Sequence, residues 1–165
     1  MLKRLALPLL LILCVAPVAA DAARLRSDSP AIAECINRAA QNFQIPELPL
    51  WVILDVEGGT LGKVSQNTNK TYDIGPMQIN SIWLKHLAPF GITEHALKNN
   101  LCVNIYVAAW IFTKELQRHG TLSKALAYYH SPTPKYQHRY LGRIQKAIDK
   151  RVSQLQRESG LASNG

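Results

Sequence analysis

The stretch that begins at Leu50 and ends at Glu57 constrains the fold more than any other part of the chain. Pro49 suits the first turn of a helix, and nearly every residue after it is apolar. A helix that is apolar on all sides has to be covered by other elements, so this stretch predicts a central buried helix. The helix is predicted to end at Glu57, because Gly58 and Gly59 readily adopt the positive φ of a C-terminal cap.

The remainder of the chain is predicted to be mainly α-helical. Apolar residues recur at helical spacing in several other segments, while no segment shows a strong strand pattern. The predicted helices are residues 30–43, 49–57, 76–87, 93–97, 100–119, 121–129 and 136–158. At 165 residues the chain is long enough for one domain with a substantial hydrophobic core.

The first twenty residues have the layout of a secretory signal peptide. Lys3 and Arg4 precede an apolar run that is too short to be a good membrane span, and small residues follow up to Ala20. We expect cleavage after Ala20 and no stable membrane insertion of the mature protein; an uncleaved anchor is the alternative. The predicted organisation is a signal peptide (1–20), a linker (21–29), one domain (30–158) and a disordered tail (159–165).

The chain is basic, and its formal net charge of +8 falls to +6 when Lys3 and Arg4 leave with the signal peptide. A basic exported protein suits a polyanionic partner such as a cell-wall polymer, although a solvated surface that only aids solubility is the alternative. The basic residues are not interleaved with aromatic ones, so we expect no nucleic-acid partner. The histidines show no metal-ligand spacing, so neither a metal nor another cofactor is expected.

Cys35 and Cys102 are the two cysteines of the predicted mature chain. In an oxidising compartment a pair that is far apart in sequence is interpreted as one structural disulfide. Closing a loop of about 67 residues contributes roughly 4 kcal/mol in the chain-entropy model. A catalytic thiol is the alternative, but neither cysteine lies in a recognisable nucleophile motif.

Glu57 is the strongest candidate for a catalytic residue. A carboxylate at the end of an apolar helix is partly desolvated, which favours its protonated, proton-donating form. Cleavage of a glycosidic bond near neutral pH requires a general acid of this kind. A surface glutamate at a helix end is the alternative that the pattern alone leaves open.

A second catalytic carboxylate is not evident, although glycosidases ordinarily use a pair. Asp55 is two residues from Glu57, so its side chain points elsewhere on a helix. Asp73 precedes the Gly75-Pro76 turn, and we interpret it as a structural acceptor of hydrogen bonds from loop amides. A single catalytic carboxylate fits a reaction in which the substrate supplies its own nucleophile.

Three blocks in order, VEGG, TYDIGPMQIN and ALAYYHSP, carry a close family resemblance. Together they resemble the lytic transglycosylases related to goose-type lysozyme, and most of all the small branch that accompanies conjugation, pilus and secretion machines. The resemblance spans roughly residues 35–143. It implies a mainly α, lysozyme-like single domain with the active-site cleft beside the central buried helix.

The resemblance also implies roles for individual residues. Glu57 matches the catalytic glutamate, and the cysteine pair falls where this branch has its own. The residues that match the substrate-binding wall of the cleft are Gly75, Met77, Gln78, Ile79, Asn80 and Tyr128. For Met77 and Ile79 a place in the core is the alternative.

Three positions depart from the family pattern. Gly58 replaces the usual serine, Pro76 replaces the common leucine, and Tyr129-His130 stands where asparagine and a small residue are expected. The last departure is the only support for a different class of function, a non-catalytic wall-binding or assembly protein.

The family's reaction cleaves the bond between N-acetylmuramic acid and N-acetylglucosamine in peptidoglycan and leaves a 1,6-anhydro end. The resemblance therefore implies a periplasmic enzyme that acts on glycan strands, with subunits of an envelope machine as possible partners. A hydrolytic muramidase, in which Asp73 places a water molecule, is the alternative reaction.

Overall fold

The computed structural model describes residues 29–162, with side chains through residue 157. Its helices are α1 (Pro30–Phe43), α2 (Glu47–Glu57), α3 (Leu84–Leu87), α4 (Glu94–Asn99), α5 (Leu101–His119), α6 (Leu122–His130) and α7 (Pro134–Ala162). A small antiparallel sheet has the strand order β1 (Val64–Gln66), β2 (Tyr72–Ile74), β3 (Ile79–Asn80). The prediction of a mainly α-helical fold is confirmed. Within residues 29–162, no helix combines the length and apolar character that crossing a bilayer needs.

Helix α2 lies at the centre of the domain, as its sequence predicts. Leu50, Val52 and Ile53 are at most 1% exposed, and the helix packs against α1, α5, α6 and α7. It starts slightly earlier than predicted, at Glu47, so that Pro49 falls inside the first turn. A proline is tolerated there because the amides of the first turn have no partner within the helix.

Helices α1 and α5 pack side by side and are joined covalently. Ser29 caps α1 and Asn100 caps α5, each with a side-chain oxygen that accepts a hydrogen bond from the first turn. Gly120 ends α5 in the left-handed conformation. Cys35 and Cys102 form the predicted disulfide, with a Cα–Cα distance of 4.9 Å.

The segment that follows Gly75 differs from the prediction. The sequence pattern predicts a helix over 76–87, but the structure forms a tight turn over 75–78 and strand β3, and α3 begins only at Leu84. Gly75 and Gln78 both have positive φ (69° and 50°), a conformation that cannot continue a right-handed helix. The strands escape sequence recognition because they are two or three residues long and β1 is exposed throughout.

The turn over 75–78 is held in place by one buried side chain, that of Asn104 on α5. Its Oδ1 accepts a hydrogen bond from the Met77 amide at 2.8 Å, and its Nδ2 donates to the carbonyls of Ile74 (2.9 Å) and Leu97 (3.0 Å). Asn104 is 0% exposed. A Cβ on Gly75 would lie 2.5 Å from this Nδ2, so the approach requires glycine.

Helix α7 packs against α2, and Arg151 joins the two helices. Arg151 donates two hydrogen bonds to the Asp55 carboxylate, at 2.5 and 2.8 Å, and its guanidinium lies over the Trp51 ring at 4.5 Å. The helix is described to Ala162. The predicted signal peptide, most of the linker and residues 163–165 lie outside the described residues.

We predict that Asn104→Leu destabilises the protein by at least about 3 kcal/mol, because three buried backbone groups lose their partner at once. Urea unfolding followed by circular dichroism measures the change. Asn42→Leu is the matched control, since Asn42 is exposed and bonds only to the Tyr106 hydroxyl, at 2.7 Å; its expected effect is within about 0.5 kcal/mol. Equal effects for the two variants would contradict the role assigned to Asn104.

Candidate active site

Glu57 is the last residue of α2, and its carboxylate emerges where the buried helix stops. Gly58 caps the helix with φ +60°, and its amide donates to the Leu54 carbonyl at 3.1 Å. The side chain of Glu57 is 11% exposed. The carboxylate is thus mostly covered but reachable from solvent, as the sequence predicts for a proton donor at a cleft.

The turn over 75–78 lies directly beside this helix end. The Gly59 amide donates to the Pro76 carbonyl at 3.2 Å. A Cβ on Gly59 would lie 2.1 Å from the Gly75 carbonyl oxygen, so no other residue fits without moving the turn. The second glycine of the VEGG block therefore brings the GPMQIN block against Glu57.

Tyr129 on α6 closes a second side of the site. Its hydroxyl donates to the Met77 carbonyl at 2.9 Å. Burial raises the pKa of Tyr129 well above its usual value, and the negative charges of Glu57 and Asp73 raise it further. The phenol therefore remains protonated and acts as a fixed donor between α6 and the turn.

Tyr140 on α7 lies beneath the carboxylate. Its side chain is 0% exposed, and burial is the main reason that its pKa is raised. The charge of Glu57 and hydrogen bonding to its carboxylate raise this pKa further, while Arg143 acts in the opposite direction. Within the described residues its hydroxyl has no partner in full hydrogen-bond geometry. The interaction between the Tyr140 hydroxyl and the Glu57 carboxylate is therefore longer and weaker than a full hydrogen bond.

His130, the last residue of α6, covers the carboxylate from the outer side. Its Nδ1 lies 3.6 Å from Glu57 Oε1, and its side chain is 31% exposed. The imidazole stacks on the Tyr140 ring, with centroids 4.3 Å apart and an interplanar angle of 5°. The sequence shows His130 only as a departure from the family pattern, and its contact with Glu57 appears only in the structure.

Both other candidate carboxylates are engaged elsewhere. Asp55 pairs with Arg151 on the far side of α2, as its spacing from Glu57 predicts. Asp73 in β2 accepts hydrogen bonds from the Asn67 amide at 3.0 Å and from the Asn80 amide at 2.7 Å. This agrees with the interpretation of Asp73 as an organiser of the loop.

The GPMQIN residues divide between the core and the site surface. Met77 is 0% exposed and Ile79 is 1% exposed, so their side chains belong to the core and do not contact a sugar in this conformation. Gly75 is buried as well. The core position of Met77 and Ile79 is the alternative that the sequence leaves open for them, and a substrate-binding role for this block stays a prediction.

Gln78 and Asn80 are both partly exposed but are used differently. The Asn80 carboxamide donates to Asp73 and Thr71 and accepts from the Ile82 amide, so it organises the sheet and the turn that follows. Gln78 Nε2 donates to the Gly75 carbonyl at 2.8 Å. Within residues 29–157 the carboxamide oxygen of Gln78 accepts no hydrogen bond.

Tyr128 is the residue that matches the tyrosine of the third motif by sequence. It is exposed, and its ring stacks on His119 of α5 with centroids 3.7 Å apart. Tyr129, one residue later, is the tyrosine whose hydroxyl reaches the site. Helical spacing contains a signal for this difference between the two tyrosines, since Tyr129 follows the buried Ala125 by four residues and shares its inward face.

A separate apolar groove is lined by none of the residues that surround Glu57. Its volume is about 240 Å³, and it is lined by Phe43, Leu87, Phe90, Ile92, Tyr106, Val107 and Trp110.

In the part of the chain that the structure describes, no cluster of three or more histidine, cysteine, aspartate or glutamate side chains has the arrangement of a metal site. Glu57, with the phenols and imidazole around it, is the candidate active site.

Comparison with known proteins places this geometry in a family. A model described as the transglycosylase SLT domain matches residues 34–150. The curated relatives include the invasion protein IagB of Salmonella typhimurium (strains SL1344 and LT2) and of Salmonella typhi. Each is 31% identical over 110 residues, which cover 66% of this chain and 69% of the relative. The chain belongs to the transglycosylase SLT family, with its lysozyme-like, mainly α-helical fold.

Proposed function

We propose that the protein is a peptidoglycan lytic transglycosylase with Glu57 as its single catalytic acid and base. One observation carries the proposal: of the candidate carboxylates of Glu57, Asp55 and Asp73, that of Glu57 is the one to which the described residues supply no arginine or carboxamide partner. In the described part of the chain, Asp55 is paired with Arg151, and both oxygens of Asp73 accept amide hydrogen bonds. Family membership supplies the substrate class, the glycan strand of peptidoglycan.

The reaction needs two proton transfers by the same group. Glu57 protonates the oxygen that joins C1 of N-acetylmuramic acid to N-acetylglucosamine, and the C1–O bond breaks. The N-acetyl group of the muramyl sugar stabilises the positive charge that develops at C1. The C6 hydroxyl of the same sugar then attacks C1, and the Glu57 carboxylate takes its proton, which leaves a 1,6-anhydro ring and restores the acid.

The phenols around Glu57 suit both halves of this cycle. After the first transfer Glu57 is negatively charged in a mostly covered position, where an unpartnered charge is costly. Tyr140 stays protonated because its pKa is raised, and its hydroxyl donates toward the carboxylate. Tyr129 keeps the turn over 75–78 in place through its bond to the Met77 carbonyl.

Gln78 is the residue of the GPMQIN block that we assign to substrate binding. Its partly exposed carboxamide packs close to Gly59, beside the end of α2, and its oxygen is available to accept a bond from an N-acetyl amide. The other residues of the block support this wall from inside the domain and are Gly75, Met77, Ile79 and Asn80. We assign the tyrosine of the third motif to Tyr129 rather than Tyr128.

The cellular setting follows from the substrate and the N-terminal sequence. A signal peptide over residues 1–20 delivers the enzyme to the periplasm, where the wall lies. The resemblance to the conjugation, pilus and secretion branch supports a role in opening local gaps for an envelope-spanning apparatus. The basic mature chain is suited to the anionic wall.

Digestion of purified sacculi is predicted to release muropeptides with 1,6-anhydro ends, identified by mass spectrometry before and after borohydride reduction. Reducing ends would instead identify a hydrolase in which a residue such as Asp73 places a water molecule. Binding to sacculi without product release would show a non-catalytic wall-binding protein.

Glu57→Gln is predicted to lower turnover of sacculi by about 10²–10⁴-fold while the melting temperature is nearly unchanged, because the amide keeps the shape but cannot donate or accept the proton. The matched control is Glu34→Gln on α1, whose side chain is 72% exposed; its activity should equal that of the native protein. Retained activity in Glu57→Gln would show that another group is the acid.

Tyr140→Phe is predicted to lower the turnover rate by roughly tenfold without loss of stability. The variant removes a donor to the Glu57 carboxylate, but it also removes a buried hydroxyl that lacks a full hydrogen bond, which is nearly neutral for folding. Tyr136→Phe is the control, because Tyr136 lies at the start of α7 and is 50% exposed. A strongly destabilised Tyr140→Phe with native turnover per folded molecule would contradict this role.

A further inference from the structure

A row of exposed cations on α7 takes no part in the reaction described above. All of its members are exposed, and within the described residues none of them pairs with a carboxylate. Together they form the α7 basic stripe, which consists of Lys135, Arg139, Arg143, Lys146 and Lys150.

The spacing of these residues places them on one face of the helix. They follow one another by four, four, three and four positions. At about 3.6 residues per turn this confines them to an arc of about 80° over a length of about 22 Å. Like charges at such spacings destabilise a helix slightly, so the stripe has an energetic cost that an anionic ligand would offset.

No acidic residue falls within this arc. Asp149 is the one aspartate or glutamate between Lys135 and Lys150 in the sequence. It lies outside the arc, and its carboxylate accepts a hydrogen bond from Gln145 Nε2 at 2.9 Å. The stripe therefore presents positive charge alone to the solvent, unlike a helix face on which both signs alternate.

Arg143 connects the stripe to the active site. Its guanidinium donates to the carbonyl of Val56, the residue before Glu57, at 3.4 Å. It also lies over the Tyr140 ring, with 5.4 Å between Cζ and the ring centroid. These contacts occupy little of a group that has five N–H donors, so the guanidinium is available to an anion beside Glu57.

The stripe extends from Arg143 in both directions along α7. Arg151, two turns later, binds Asp55 and lies over Trp51, so the later part of the stripe runs back along α2. The earlier part, with Arg139, extends past the end of α2. An elongated anionic ligand that reaches the active site can therefore follow the stripe.

The packing of α7 favours an anionic polymer over a lipid surface as this ligand. Helices that lie in a membrane interface oppose their cationic face with an apolar face that enters the bilayer. The apolar face of α7 is already used, because Tyr140 and Ile144 are buried where the helix packs against α2 and α6. The stripe thus offers charge without an apolar surface to insert.

We propose that the α7 basic stripe binds the carboxylates of the peptides that peptidoglycan carries on its muramyl residues, with Arg143 placing one such peptide beside Glu57. The inference rests on the proposed function for the identity of the ligand. The peptide is attached through the lactyl group and has free carboxylates, whereas the sugar rings are uncharged. Guanidinium groups bind carboxylates in bidentate geometry.

Repetition makes this recognition effective. A single exposed ion pair strengthens binding by at most about fivefold. A glycan strand carries a peptide on each muramyl residue, so several pairs form at once and their effects combine. The stripe therefore selects strands that still bear their peptides over uncharged or stripped ones.

The test measures the affinity of soluble peptide-bearing strands for protein that carries Glu57→Gln, so that the strands stay intact. A stripe variant with three further substitutions is expected to bind about tenfold more weakly at low ionic strength. The difference should shrink at about 0.5 M salt, which screens exposed charges. The substitutions are Arg143→Gln, Lys146→Gln and Lys150→Gln.

The matched control also loses one arginine and two lysines, all exposed and outside α7. It should bind within about twofold of its parent, and both triple variants should keep the native melting temperature because surface substitutions change stability little. The control substitutions are Arg38→Gln on α1, Lys85→Gln on α3 and Lys124→Gln on α6.

Three further ligands identify the anion. Amidase-treated strands keep the lactyl carboxylate but lose the peptide, and oligomers of N-acetylglucosamine carry no charge. With both, the stripe variant should bind as its parent does. Vesicles of phosphatidylglycerol and phosphatidylcholine in equal parts test the lipid surface, and the stripe variant should lose less affinity for them than for peptide-bearing strands.

The outcomes separate the failure of this inference from that of the proposed function. Equal losses in the stripe and control variants, an equal loss on amidase-treated strands, or a larger loss on vesicles overturns the inference even if sacculi yield 1,6-anhydro ends. Stripe-dependent binding of peptide-bearing strands by a protein that cleaves no sacculi upholds the inference and overturns the enzymatic function.

Discussion

The buried carboxamide of Asn104 is the interaction on which the arrangement of the site depends. It binds the Met77 amide of the turn, the Ile74 carbonyl just before the turn and the Leu97 carbonyl of α4, three backbone groups that are buried and need a partner. With the turn over 75–78 fixed on α5, its carbonyls are presented to Gly59 and Tyr129. The Asn104 side chain on α5 thus positions the turn beside Glu57, together with the Met77 carbonyl to which Tyr129 donates.

The site is a carboxylate surrounded by groups that remain neutral or can become positive. Tyr129 and Tyr140 stay protonated because they are buried, and His130 Nδ1 lies 3.6 Å from the carboxylate. The other two candidate carboxylates have partners of their own: Arg151 pairs with Asp55, and the carboxamides of Asn67 and Asn80 donate to Asp73. This environment suits an acid that must give up a proton and take one back, as the proposed reaction requires.

The sequence allowed the helical framework and the position of Glu57 at a helix end to be predicted, but not the contacts around that carboxylate. The burial of α2, its end at Glu57, the caps of α5 and the Cys35–Cys102 bridge all follow from local rules of periodicity, capping and redox compartment. The sheet was missed because its strands are too short to show alternation. Met77 and Ile79 were assigned to the cleft from motif resemblance, which does not distinguish a residue that supports a wall from one that faces the substrate.

By itself the sequence determined the central buried helix and its end at Glu57, since an apolar helix has to be covered and the glycines that follow suit a C-terminal cap. Only the tertiary structure decided what surrounds that acid. Tyr129 comes from α6, Tyr140 from α7 and the turn over 75–78 from a loop held by α5. Residues 52 positions apart, such as Met77 and Tyr129, meet because the packing of α5, α6 and α7 brings their segments together. Local propensity carries no information about that packing, because it depends on which apolar faces bury one another.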